Sequence, residues 1–268
     1  MQLEAKKKNY SEISTVFQTR KDLISERFAS KIEVFQDSIE VAFYLYDNLQ
    51  SKFNERYENT GKKVTGPKSL IPFLFVRNIH YLIAANELVL LGLINPSNLN
   101  LRAVFENITM MYLLNLTTEE AELYYKKEMK TLTKYDERDL NGKYRWFSQS
   151  KVGDILYTKE KKAQIQKYYS VASYPAHPTI KGTILDIETN YDAIIDTLNV
   201  SLAFSAANLI AFHESYFEIF EKKEIDEIEN SLDKISKELD NQIPDIIPNN
   251  PNVVDKLKIN LQHMLIKD

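Results

Sequence analysis

Cysteine is absent from the chain. Disulfides, zinc thiolates and thiol nucleophiles are therefore excluded. Glycine and proline are scarce, at 6 and 8 in 268 residues. The glycines are too scattered for a GxGxxG turn or a P-loop, and Gly-x-Ser-x-Gly does not occur. Kinase, NTPase, dinucleotide-binding and α/β-hydrolase readings fall with them. His-Glu-x-x-His and the Glu-x-x-His of di-iron bundles are missing too. His213 and Glu214 are adjacent, so on a helix they point in different directions. No metal site and no cofactor is expected. No catalytic motif is recognisable. The formal net charge is only -4, with no basic excess to suit a nucleic-acid backbone, although a local basic groove stays open. The opening MQLEAKKKNYSE has no apolar core of the signal-peptide kind. The longest apolar run, residues 81–94, is broken by Asn86 and Glu87 and falls short of a membrane span. These absences point to a soluble, cytoplasmic protein with no membrane partner.

What is scarce is also unevenly placed. No glycine or proline precedes Gly61, none lies between Pro96 and Gly142, and none between Gly182 and Pro244. Long stretches free of these punctuators, filled with Leu, Ile, Glu, Lys and Ala, favour helices. The one Asn-Gly pair, Asn141-Gly142, follows a charged helical run rather than joining two alternating strands. The expected fold class is all-α, a multi-helix bundle.

Residues 11–57 carry one apolar stripe through Ile32, Phe35, Ile39, Phe43, Tyr46, Leu49 and Phe53, as one helix or as two with a break near Ala29-Ser30. The stretch 69–116 is the most apolar of the chain. It reads as a buried antiparallel hairpin, with Pro72 in the first turn of one helix and Asn95-Pro96-Ser97 as the turn. Thr117-x-x-Glu120 has the form of a capping box opening a more polar helix. Residues 140–158, with the only tryptophan, Trp146, are the least periodic. Thr158 is placed to cap a helix ending before Pro175-Ala-His-Pro178. A long apolar helix over 191–220 is expected against the hairpin. Ile225, Ile228, Leu232, Ile235 and Leu239 then form a short heptad seam in the 224–240 helix. It either packs on the bundle or serves a homodimer or partner protein. Residues 1–243 read as one domain, 244–251 as a proline-rich linker, and 252–268 as an amphipathic helix docking on the bundle through Val254, Leu257, Leu261 and Leu265.

The hairpin carries Arg77, His80, Glu87, Arg102 and Glu106. Arg102 and Glu106 are four apart and share a helix face. Counting outward from Pro96 brings Glu87 level with them. Charges buried there need one another, so a mutually paired cluster is expected. It is either an ion network fixing helix register or a group facing a ligand. His177, held between two prolines, is either a capping and packing residue or a ligand contact. Tyr174, with Tyr168 and Tyr169, is placed to line a pocket wall or to fill the core. The candidate ligand-binding set is Arg102, Glu106, His177, Glu87, His80 and Tyr174.

Gly92-Leu, Leu101-Arg-x-x-Phe-Glu106 and Tyr169-x-x-x-Ser-x-x-x-His177-Pro178 resemble an uncharacterised family of bacterial all-helical proteins. That family is similar in turn to the HEPN (higher eukaryote and prokaryote nucleotide-binding) bundles and abortive-infection proteins. The resemblance spans roughly residues 70–185. It implies a helical bundle binding a nucleotide, an RNA or a partner protein in a bacterial defence or stress setting. HEPN ribonucleases carry Arg-x-x-x-x-His, and none of the four histidines here has an arginine at that spacing. The resemblance therefore implies binding rather than RNA cleavage.

Overall fold

A computed structural model describes residues 10–61, 65–116, 119–133, 149–165, 190–240 and 248–249. No strand occurs among them. The elements are α1 (Tyr10–Arg27), α2 (Ala29–Thr60), a 3-10 turn (Pro67–Leu70), α3 (Ile71–Leu90), α4 (Ile94–Asn115), α5 (Glu119–Thr133), α6 (Gln149–Leu156), α7 (Tyr191–Tyr216) and α8 (Lys222–Glu238). Residues 159–165 are also helical. The all-α bundle is as expected. Trp146, Tyr174, His177 and the 252–268 helix lie outside the described residues.

The long N-terminal helical stretch is two helices, separated at Phe28, whose φ of -117° and ψ of 29° leave the helical region. The hairpin forms, but its turn is not where the proline suggested. The chain reverses at residues 91–93, with Gly92 in the left-handed region at φ 76°. Pro96 instead sits in the first turn of α4, where its missing N–H has no intrahelical acceptor to lose. A Cβ on Gly92 would also stand 2.5 Å from Arg20 Cδ, because α1 crosses over the turn there. The stretch expected to be irregular contains the eight-residue helix α6, with Val152, Leu156 and Tyr157 buried. Of the expected linker, Asn249 is pinned to the end of α6: its N–H donates to Leu156 O at 3.1 Å, and its side-chain oxygen accepts from Thr158 N–H at 2.9 Å.

Four helices make the core. α3 and α4 run antiparallel, and α7 lies against both and against α2. Asn190 caps α7, accepting from the N–H groups of Asp192 and Ala193, both at 3.1 Å. From Ser201 to Tyr216, every residue of α7 except Ile210 is buried. Phe75 of α3 stacks on Phe212 of α7 at 3.7 Å between centroids, 7° from parallel. Pro67–Leu90 and α7 are each long and apolar enough, by length and composition, to cross a membrane, which a count of unbroken apolar runs had missed. In the fold, 67% of the apolar window in α7 and 44% of that in Pro67–Leu90 are buried against neighbouring helices.

The bundle has two poles. One gathers the hairpin turn, the starts of α2 and α7, and α1. Ile24, Ile32, Val89, Leu90, Ile94, Ile194 and Leu198 form a separate apolar cluster there. The other gathers the ends of α2, α4 and α7, the 3-10 turn and the start of α5. α8 returns from this second pole to the first. Lys52 of α2 holds its start, and Ser30 and Lys31 hold Glu238 at its end. The heptad face is spent on this packing: Ile228, Ile235 and Leu239 are buried in the main core, and Ile225 and Leu232 pack against it.

Candidate functional site

Arg102 and Glu106 pair as their spacing predicts, Nε to Oε1 at 2.9 Å, but each side chain is about a third exposed, at 33% and 35%. Glu87 does not join them. It is 52% exposed and pairs with Lys21 of α1 at 2.5 Å. The displaced turn explains this. Counted from Gly92, Arg102 lies ten residues out and Glu87 five, an offset of about 7 Å at 1.5 Å per residue. His80 is exposed on α3, its ring 6.5 Å from that of Phe43. Arg77 is exposed as well, folded over Tyr81, whose hydroxyl accepts from Nε and Nη2 at 3.1 and 2.9 Å. The expected buried charge cluster is therefore replaced by separate, partly solvated pairs.

The polar group that does sit inside the hairpin is uncharged. Asn78 of α3 donates to the side-chain oxygen of Asn208 on α7 at 2.9 Å. It accepts from Asn107 of α4 at 2.8 Å. The chain of amides ties three helices at one level. Ser38 of α2 and Ser205 of α7 share a buried hydrogen bond of 2.7 Å. Bonds of this kind fix how helices slide past one another, since a slip leaves a buried donor without an acceptor.

The second pole holds a cleft of about 1100 Å³. Five helix ends frame it, because helix termini leave the bundle without covering one another. Apolar residues on its lining include Phe53, Leu114, Leu116, Leu123 and Ile219. Charged residues there are Arg56, Lys68 and Lys126 against Glu119, Glu122 and Glu218. None of these six side chains forms an ion pair or hydrogen bond among the described residues. Tyr216, the last residue of α7, donates its hydroxyl to Lys68 O at 2.5 Å and so ties α7 to the 3-10 turn. Burial holds this phenol above its ordinary range. Beside it the Ser215 hydroxyl donates back to Ala211 O at 2.7 Å.

Below the cleft, His213 is buried and stacked on Phe220, 6.1 Å between centroids and 10° from parallel. Neither ring nitrogen has a hydrogen-bond partner among the described residues. Burial lowers its pKa, opposed by the charge of Glu229. Glu214 is 1% exposed, and burial raises its carboxyl to about 7. Ser215 spends its proton on a carbonyl rather than on His213, so no activated nucleophile is assembled here. Among the described residues no group of three His, Cys, Asp or Glu side chains comes together to hold a metal. The arrangement can bind through apolar area and charges of both signs.

Of the predicted site residues that the structure describes, Arg102 and Glu106 meet each other, Glu87 and His80 stand apart from them, and none of the four lines the cleft. Sequence reasoning missed the cleft. Its only advance signal was that helix boundaries, at Gly61 to Pro67, at Leu116 and at Tyr216, are points an up-and-down bundle brings to one end. Compared with protein-family models, curated proteins and solved structures, the chain matches none.

Proposed function

We propose that this protein is a non-catalytic interaction module that takes a segment of a partner polypeptide in the cleft at the second pole. The observation that carries this reading is the balance of the lining: apolar side chains together with three cations and three carboxylates, none of them paired among the described residues. A nucleotide or RNA site concentrates positive charge on phosphates, and the carboxylates here would oppose it. The alternative site around Arg102, Glu106 and His177 is less favoured because the charge of Arg102 is already offset by Glu106, which accepts its Nε–H. Leu123, an apolar side chain on the lining, is 41% exposed, which supports a docking surface. The defence or stress setting implied by the resemblance is compatible with such a module.

The test is selection from a displayed library of random peptides, with Leu123→Arg as the counter-target. The expected result is a set of peptides that bind the parent and lose the variant. Peptides that bind both alike, or none at all, would remove the cleft from consideration. Binding of single-stranded RNA that Arg102→Ala abolishes would favour the alternative.

A further inference from the structure

We infer that the occupant of the cleft is an amphipathic helix of about two turns, with leucine-like side chains on the floor and both an acidic and a basic residue on its flanks. This rests on reading the cleft as a polypeptide site.

Size comes first. A helix about 10–12 Å across displaces roughly 500 Å³ for each 5.4 Å turn, so a cleft of about 1100 Å³ holds two turns. Backbone chemistry then selects the conformation. An extended peptide gains affinity from main-chain hydrogen bonds to a sheet edge, and there is no strand among the described residues to supply one. Two of the backbone carbonyls at the cleft are already engaged. Tyr216 takes Lys68 O, and Ser69 N–H takes Gly66 O at 3.0 Å. A helix brings its own hydrogen bonds and needs none from the host.

Charge selects the flanks. Arg56 and Lys68 come from the end of α2 and the 3-10 turn, whereas Glu119 and Glu122 come from the first turn of α5. Lys126, further along α5, adds one cation to the acidic side, and Glu218, past the end of α7, adds a third carboxylate, so the two signs predominate on different elements without being confined to them. A ligand with flanks of one sign would satisfy one element and be repelled by the other. A ligand with an acidic flank and a basic flank satisfies both, and only one orientation of that ligand does so.

The experiment uses the full chain and three fluorescein-labelled helical peptides that share one leucine stripe. Their flanks are mixed Glu and Lys, all Glu, or all Lys, and binding is read by anisotropy. The mixed peptide should bind about three- to tenfold tighter than either single-sign peptide, the effect a few partly exposed ion pairs supply. Arg56→Glu with Lys68→Glu should transfer the preference to the all-Lys peptide, and Glu119→Lys with Glu122→Lys to the all-Glu peptide. Equal binding of all three, or a mixed peptide carrying a central proline that binds as well as the helical one, would overturn the inference. If library peptides bind the cleft and no designed helix does, the helix is wrong and the polypeptide site stands. If neither binds, both are wrong.

Discussion

His213 and Glu214 are neighbours on α7, and burial moves both toward their neutral forms. Their effects on stability with pH have opposite signs. The folded pKa of His213 lies below its unfolded value near 6.5, so its contribution is present above that value and is lost as pH falls below it. The folded pKa of Glu214, about 7, lies above its unfolded value of 4.5. Its contribution is present below 4.5 and is lost as pH rises toward 7. As pH falls below about 6.5 the two act in opposite directions. Removing one should therefore expose the other. His213→Phe keeps a ring on Phe220 and should become more stable on acidification from pH 7 to 5, by up to about 3 kcal/mol. Glu214→Gln should become less stable over the same interval. Melting temperatures across the range decide it, and parallel profiles for the two variants would contradict the assignment. Neither residue was legible as a titrating pair in the sequence. Adjacency predicted divergent directions, but on a helix buried all round both directions lead into the core.

Among the elements, α8 shows how a polar contact seats an otherwise amphipathic helix. Its Glu224 is 4% exposed and closes a capping box with Glu221, whose backbone N–H it accepts at 2.9 Å. Lys52 reaches the same carboxylate at 2.7 Å, Glu221 at 3.6 Å and the carbonyl of Ile219 at 3.1 Å. Burial alone would raise the Glu224 pKa, but the bond and charge of Lys52 with the backbone donors outweigh it and lower the value. Lys52→Met should cost about 1–3 kcal/mol, less than for a fully enclosed pair because Lys52 keeps some solvent. Adding Glu224→Gln should recover part of that loss, since no unpaired buried charge remains. A double-mutant cycle from urea denaturation measures the coupling, and additivity would show that the pair is dispensable.

The elements themselves were largely readable in the sequence. Leu, Ile and Ala at spacings of three and four, without glycine or proline, reported α2, α3, α4, α7 and α8. The failures were local. The turn is expected at Asn95-Pro96-Ser97, although a first helical turn tolerates Pro96, and it falls instead at Gly92, the residue that supplies the positive φ. That shift of a few residues displaced Glu87 from Arg102 and dissolved the expected cluster.

For the whole molecule, the question is which apolar faces remain for partners. The heptad face of α8, a possible dimer seam in the sequence, lies inside the bundle. Ile228→Asp should therefore destabilise the monomer by about 3 kcal/mol or more, because it buries a charge beside Ile235 and Leu239. The loss should not depend on protein concentration. A melting temperature that rises with the concentration of the parent, and a variant that abolishes the dependence, would return that face to a dimer. The cleft was legible only as helix boundaries that a bundle brings to one end, not as a set of residues. Arg56, Lys68, Glu119 and Glu218 are spread over more than 160 positions, and only the up-and-down path of the helices brings them to one pole.

The chain of amides through Asn78 also sets an order of assembly in time. Asn78 and Asn107 are 29 residues apart and belong to one hairpin, whereas Asn78 and Asn208 are 130 apart. Loop closure favours the nearer pair, and contacts of small sequence separation form early. Asn78 thus meets its α4 partner first and exchanges water for Asn208 when α7 docks, so the hairpin alone is a primed template rather than a finished core. In kinetic terms, Asn107→Ala should slow folding, with a φ-value above about 0.5, while Asn208→Ala should chiefly accelerate unfolding. Stopped-flow chevrons on the two variants read this directly. The reverse pattern would make docking of α7 the nucleating event, with the hairpin closing around it.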